Sequence, residues 1–507
     1  MKKMNYKFIA FCTLSVLALS SCKKFLDINT DPDNIVSTNA PLAQLLTSAQ
    51  VNVAFEGGSD LYRYSNIIAQ KVSGQASQPN QTYDYDRYNI AGSDLNNVWS
   101  SLNATSLSDL ELIIKTASAN GSPYYSGIAK VLKAYEYQLM VDAWGDIPFS
   151  EAQQLDKNVT PKYDKGEDIY KALITMLSEA VTELNAASSN LVPGANSVIY
   201  PGNFTTVKAN WIKLANTLKL RILLHYSKKD PAFMVAQMNA LIASSGVTFM
   251  SAPSDNFQMA FIAAPSATNP IHQFEIRRND YLFAANQLVS MMNAKSDPRR
   301  VTYFTPFPYL SSPATYKGVT AGDPATINYS RIHTYLRGAA SGTPTIAANT
   351  LNAAGGITAL ALTYTGSAPV RMLTYAEYCF IRAEAALLGA TGTAQTFFTQ
   401  GITANMQDAG VSAADIATYL AANGTLTGTT AQQVQQVIEE KFVALYGVTM
   451  ESWTDYRRTG YPALTPPSNA ITPQVPRSLF YPQSEIDLNP KNPGQKASLQ
   501  ARVFWDL

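Results

Sequence analysis

The first residue with chemistry to offer is Cys22. Lys2, Lys3 and Lys7 precede an apolar run from Phe8 to Leu19, and Leu19-Ser20-Ser21 leads straight into the cysteine. A basic start, about a dozen apolar residues and a small-residue end make a secretory signal, too short to be a spanning helix. A thiol at the cleavage point can take acyl chains, so the pattern resembles a lipobox: residues 1–21 are removed and the mature chain starts at a lipidated Cys22. The competing reading is a plain signal with a chance cysteine. Acyl chains hold a protein to a membrane by burying methylenes, and lasting attachment takes more than one chain.

Other reactive side chains are scattered. His225, His272 and His333 show no metal-ligand spacing. There is no G-x-S-x-G elbow, phosphate loop or dinucleotide fingerprint, so neither a metal nor a cofactor is expected. Asp27-x-Asn29-x-Asp31 opens like a calcium loop, but Pro32 replaces the required glycine and Thr38 the final glutamate, leaving an Asx-rich turn. With 37 acidic residues, a carboxylate pair at glycosidase spacing is expected by chance. The fold sets that separation, so a surface hydrolase stays open. Cys12 leaves with the signal and Cys22 is lipidated. Cys379 then has no disulfide partner, and it shares an apolar stripe with Met372, Ala376, Ala383 and Leu387, as a small core residue does.

Two stretches have the chemistry to hold a ligand. Gln81-Thr-Tyr83-Asp-Tyr85-Asp-Arg87-Tyr88 alternates aromatic and acidic residues. In an extended chain, side chains two apart share a face. Tyr83, Tyr85 and Arg87 would line one side, offering rings for stacking and a guanidinium fork for hydroxyl or carboxylate groups, with Tyr88 beside them. The second stretch gathers Arg277, Arg278, Asn279 and Tyr281, with Tyr309 further on. The competing reading has these tyrosines seal a tether or a lid interface. Trp99 could also stack, but its helical spacing with Leu102 favours the core.

Helices must position these groups. Apolar residues make up 46% of the 507 and charged ones 15%, with net charge +1: a globular balance without the concentrated basic face of a nucleic-acid binder. After a tether over 22–40, the body runs from 41 to 507. Leu95 to Ala119 reads as helix with Trp99, Leu102, Leu107, Leu110 and Ile114 buried. Ile128, Val131, Leu132, Tyr135, Leu139 and Ala143 form one stripe that stops at Gly145 and Pro148. Asp164 and Glu167 are spaced as a capping box for the helix carrying Ile169 to Leu184. Another helix covers about 206–229, and Asp230-Pro231 starts the next. Residues 247–370 are loop-rich, with one helix near 281–294. Helices return at Thr374-x-x-Glu377, a second capping box, and continue over 393–409, 412–422 and 430–446, the last opened by Thr430-x-x-Gln433. The tail beyond 460 is Pro-rich and extended. Helix pairs at both ends of the chain suggest stacked hairpins, although no clean 34-residue repeat appears.

Six segments stand in order along the chain: Cys22-Lys-Lys-Phe-Leu-Asp-Ile-Asn, Asp142-Ala-Trp-Gly-Asp-Ile-Pro148, Trp211 to Arg221, Asp297-Pro-Arg299, Thr374 to Ala385, and Glu440-Lys-Phe through Trp453-x-Asp-Tyr-Arg-Arg-Thr-Gly-Tyr-Pro462. Together they resemble the SusD/RagB family of surface nutrient-binding lipoproteins, and within it the SusD-like branch described as starch-binding and outer-membrane-associating. The resemblance implies a mainly α fold, a tetratricopeptide-like helical-hairpin scaffold (about 95–246 and 374–460) cradling an irregular ligand-binding half (about 247–370). It implies a non-enzymatic protein that captures an oligosaccharide or peptide at the outer membrane, facing the exterior, for a SusC-like TonB-dependent transporter on which it sits as a lid. A ligand-free scaffold of that complex is a further alternative. Lys23 and Lys24 depart from the acidic residues that often follow the lipidated cysteine, so exterior exposure rests on the family alone. The motifs themselves read as structural: Trp144-Gly145-Asp146-Ile147-Pro148 ends a helix, and Arg221 and Arg382, on apolar helices, need carboxylates such as Asp142 or Glu384. Family ligand contacts come from comparable early and middle loops, which places Tyr83 to Tyr88 and Arg277 to Tyr309 by region only.

Overall fold

The computed structural model describes residues 41–74, 81–154, 157–278, 281–309, 311–323, 329–341 and 362–507. Cys22, the 22–40 tether with its Asx-rich turn, and Asn279 lie outside them.

The chain opens with α1 (Leu42–Glu56), α2 (Asp60–Ile68), a short strand β1 (Val72–Gly74) and a helical turn α3 (Gln81–Asp86). The expected extended register over 81–88 is therefore wrong: in a helix, residues four apart share a face, not residues two apart. A 3₁₀ turn and a short α segment then lead through a π-helical stretch, Ser101–Leu107, into α4 (Ser108–Ala119). The wider π turn takes up the five-residue step from Leu102 to Leu107 in the apolar stripe. Trp99, Leu102, Leu107 and Leu110 are buried as expected, but the next core position is Ile113, and Ile114 is only partly covered.

Three residues join α4 to α5 (Pro123–Trp144), so the two run back along each other. Pro123 takes the first helical position of α5, and Gly145 at φ 83° ends it where the sequence places the stop. It packs on α6 (Gly166–Leu184), whose Ile169, Leu173, Leu177, Ala180 and Leu184 are all buried. The expected Asp164 box does not form. Asp164 accepts instead from the amides of Phe149 and Ser150, and Asp146 Oδ1 accepts from Gly166 N at 2.9 Å. The next helices are α7 (Phe204–Leu224) and α8 (Pro231–Ala243), the latter capped by Asp230, whose side chain accepts from Phe233 N.

The middle is sparse in regular structure, as read. It contains β2 (Phe257–Met259), α9 (Pro270–Arg277), β3 (Leu282–Ala284) and α10 (Asn286–Ala294). β1 pairs antiparallel with β3, and β2 with β4 (Val370–Leu373), so the middle is stitched to both ends of the chain. The second helical block is α11 (Tyr375–Leu387), α12 (Ala394–Asp408), α13 (Ala413–Asn423), α14 (Thr430–Ala444) and α15 (Glu451–Thr459). The box opening α14 sits one residue earlier than expected, with Thr429 and Gln432 bonding reciprocally. No helix among the described residues is long and apolar enough to cross a membrane.

The two helical blocks meet at α7 and α11 over a charged seam. Arg221, fully buried, donates to both carboxylate oxygens of Glu377 at 2.7 Å and to the carbonyl of Met372. Arg458 pairs with Glu384 and Asp455, and Lys441 with Glu451 and Asp455. Asp142 and Glu384 are thus not the partners of Arg221 and Arg382. Asp142 binds Gln138, Tyr170 and Trp505, while Arg382 donates to Tyr378 Oη and Thr391 O. His225 lies between Tyr170 and Glu451. Burial pulls it down, but Glu451 and Asp142 together outweigh that and lift it to about 9. Cys379 is a buried core thiol, pushed up to about 12 by burial.

Candidate ligand-binding surface

The β1–β3 pair decides what comes together in the loop-rich half. It matches Val72 with Ala284 and Gly74 with Leu282, bringing Gln70, just before β1, near Asn286 and Gln287, just after β3. Val319 N donates to Ala284 O and Asn286 N to Val319 O, which holds the 319–323 turn on the same edge. The Pro-rich tail supplies a third wall. Gln70 Nε2 donates to Thr465 O at 2.7 Å, and Asn469 Nδ2 to Gly322 O at 2.8 Å. A Cβ on Gly322, at φ +72°, would stand 2.3 Å from Asn469 Oδ1, so this turn requires glycine.

Between these walls is an open cavity of about 610 Å³, lined by Gln70, Asn286, Gln287, Asp323, Asn469 and the Pro466–Pro467 ridge among others. Half of its polar lining residues carry carboxamides, the rest being hydroxyls and Asp323. Asn469 Oδ1 is buried with no partner among the described residues, an acceptor with an unmet hydrogen bond. Under the floor, buried Asp86 accepts from Gly322 N at 2.8 Å and from Ser73 Oγ. Burial pushes its carboxyl up to about 7, against the pull of those bonds.

Of the residues singled out in the sequence, Tyr83 and Arg87 share one side of α3, stacked 5.5 Å apart. Both brace the tail wall: Tyr83 Oη accepts from Asn469 Nδ2 and Arg87 Nε donates to Asn469 O. Tyr85 and Tyr88 face inward and are buried, Tyr85 against Tyr64 at 4.6 Å between rings. They do not line one face with Tyr83 and Arg87. The middle stretch does come beside α3, since Thr82 Oγ1 donates to Tyr281 O at 2.7 Å. Tyr281 packs edge-on to Phe274, whose ring also carries Arg278 at 5.1 Å and Arg63 at 4.2 Å. Arg277, exposed, belongs to a second and smaller cleft, and half-buried Tyr309 lies near Tyr364 on that side. Trp99 is core, edge-on to Trp144 at 5.2 Å. The carboxamides of Gln70, Asn286, Gln287 and Asn469 went unread. Thr465-Pro466-Pro467-Ser468-Asn469 is a turn signature that marks a loop, but nothing in it says which cavity the loop closes. Among the described residues no cluster of His, Cys, Asp and Glu is placed to hold a metal.

Paired helices stacked into a scaffold, with a polar cleft built from loops at one side, define the class as a tetratricopeptide-like ligand-binding architecture. Residues 32–482 match the profile of the SusD-like family described as starch-binding and associating with the outer membrane, and the chain belongs to that family. Solved structures of the same fold include a chitin-binding SusD homologue from Flavobacterium johnsoniae, with 22% identity, TM-score 0.75 and coverage of 92% of this chain and 98% of that one. Another described as a chitin-binding protein shows 24% identity and TM-score 0.73, covering 92% and 100%. A SusD-like protein from Bacteroides thetaiotaomicron shows 21% and 0.71, covering 92% and 99%. No curated protein matches the sequence.

Proposed function

We propose that the mature chain is a non-enzymatic glycan-binding lipoprotein, acylated at Cys22 and held on the outer membrane facing outward, which passes its ligand to a SusC-like TonB-dependent transporter. The ligand occupies the carboxamide-lined cavity, with Tyr83 and Arg87 bracing its wall and Tyr281 beside α3, while Arg277 and Tyr309 lie toward the second cleft. The observation that carries this reading is the chemistry of that cavity. Carboxamides both donate to and accept from hydroxyl groups, and the Pro466–Pro467 ridge offers an apolar face. Glycoside hydrolysis takes two carboxyl groups, and Asp323 is the single carboxylate in the described lining. The chitin-binding relatives and the family's starch-binding description support a glycan over a peptide.

The test is titration of the mature chain with neutral hexasaccharides and with peptides. A glycan should bind, and Gln287→Ala should weaken it roughly three- to tenfold, the value of one or two hydrogen bonds, with melting temperature unchanged. Binding of peptides alone, or hydrolysis of the glycan, would overturn the reading. Cys22→Ala should abolish palmitate labelling and release the protein from the outer membrane.

A further inference from the structure

The second cleft has a different chemistry from the first. It encloses about 280 Å³ between the 263–268 turn, α9 and Tyr364, and is lined by Ser266, His272, Gln273, Ile276, Arg277 and Tyr364 among others. One run of chain, 263–287, passes from this cleft through α9 and β3 to the carboxamide cavity. Arg277 is exposed at its mouth and has no ion pair among the described residues. Arg337 lies behind the wall, its guanidinium 4.0 Å from the centre of the Tyr364 ring, with Glu275 Oε2 also 4.0 Å away. Tyr364 Oη is fixed by His333 Nδ1 at 2.8 Å. His272 and His333 are both pulled down to about 4, by burial first and then by Arg337, so both are neutral at neutral pH and the positive charge beside the cleft is that of the arginines. Between residues 262 and 340 there are eight Lys and Arg against four Asp and Glu, and two of the eight, Lys295 and Arg299, are taken up by Glu440 from outside the stretch.

We infer that this cleft receives an anionic substituent, a carboxylate or a sulfate, carried by the same glycan whose neutral part lies in the carboxamide cavity. Arg277 supplies the charge-assisted hydrogen bonds, with Arg337 adding to the field from behind Tyr364. Ile276, half exposed beside Arg277, offers an apolar face to the ring that bears the anion. This rests on the glycan-binding reading above and sharpens it, making the captured polymer acidic.

Isothermal titration of the mature chain against three hexasaccharides tests it: chitohexaose as the neutral probe, hexagalacturonate as the carboxylate, and a sulfated heparin hexasaccharide. An acidic probe should bind more tightly than the neutral one and weaken as salt rises, and Arg277→Gln should cost it about tenfold while leaving the neutral probe unchanged. Which acidic probe responds identifies the group. Equal binding of neutral and acidic probes, or an acidic affinity that Arg277→Gln leaves unchanged, overturns the inference and leaves the glycan reading standing. If no hexasaccharide binds while acidic peptides do, both fall together. Arg337→Lys, which keeps the charge and trims the fork, should lose less acidic affinity than Arg277→Gln; the reverse order would assign the anion to Arg337.

Discussion

The two halves of the chain hold several of their cations in different ways. In the helical scaffold, Arg221, Lys441 and Arg458 are almost wholly buried and each meets at least one carboxylate. In the loop-rich half, Arg278, Arg300, Lys317 and Arg337 lie over aromatic rings, at 5.1, 5.3, 4.7 and 4.0 Å from the ring centres. A buried charge without a partner is costly, so the scaffold residues cannot vary independently. A cation on a ring at the surface contributes about 0.5–1 kcal/mol. Arg299 marks the border. It belongs to the middle stretch but is fully buried, bonding Asp297, Asn405 and Glu440, and so fastens the loops to α12 and α14. Residues of the family motifs thus cluster where charge is buried, and the clefts are lined by residues outside them.

Removing one side of a buried pair should break the scaffold first. Arg221→Met leaves the buried Glu377 carboxyl without its cation beside Glu451, and a loss of about 3–5 kcal/mol is expected. Denaturant unfolding measures it. The matching deletion in the loops, Arg278→Ala, should cost under about 1 kcal/mol. Equal losses in the two variants would erase the contrast.

A second test uses pH. His225 is raised to about 9 in the folded chain, against an ordinary value of 6.5. A base with a raised folded pKa adds stability that is complete below about 6.5 and is lost as pH rises through about 9. At most this amounts to about 3 kcal/mol. Buried Lys496 is lowered to about 7, by burial and then Arg457, and gains stability over the range where His225 loses it. The informative quantity is therefore the gap between wild type and His225→Gln, which should close between pH 6.5 and 9. In the loops, Asp86 is raised to about 7, so its ionisation costs stability as pH rises from about 4 to 7. There Asp86→Asn should flatten the curve, well below the His225 window.

How much of this was legible follows the same division. The stripes of α5 and α6 were readable because each core position recurs with the helical period and each helix has a physical stop. Ile113 was not, because Ile113 and Ile114 both lie at helical spacing from Leu110 and only the packing of α4 chooses between them. α3 was missed for a related reason: Tyr85 and Asp86 are held by Tyr64, Ser73 and Gly322, partners distant in sequence, which override a pattern that alternates like a strand. The need for buried counter-charges was readable from arginines on apolar helices. The pairing was not, since Glu377 meets Arg221 across 156 residues. The site was the least legible, because its walls come from residues 70, 286–287, 320–323 and 465–469. No local spacing links four such segments.

The smallest expected effect lies on the seam between the halves. Thr374 follows β4, which belongs to the loop-rich half through its pairing with β2, and it caps α11, which carries Glu377 into the scaffold. The expected capping box is only half made: Thr374 Oγ1 accepts from Glu377 N at 3.2 Å, but the Glu377 carboxylate does not return to the cap because Arg221 holds it. Thr374→Ala should therefore cost what one cap bond is worth, about 1 kcal/mol. The amide that loses its acceptor is Glu377's own, so any drift of that first turn also moves the carboxylate against Arg221. A double-mutant cycle with Arg221→Met separates the two. If the cap acts only on the helix end, the losses add; if it also aims Glu377, the double variant loses less than the sum. Glycan affinity should be unchanged in Thr374→Ala at a temperature where the chain is fully folded, because no wall of either cleft rests on that turn. A fall in affinity there would mean that the scaffold and the binding surface are one mechanical unit, and the contrast between the halves would lose its functional meaning.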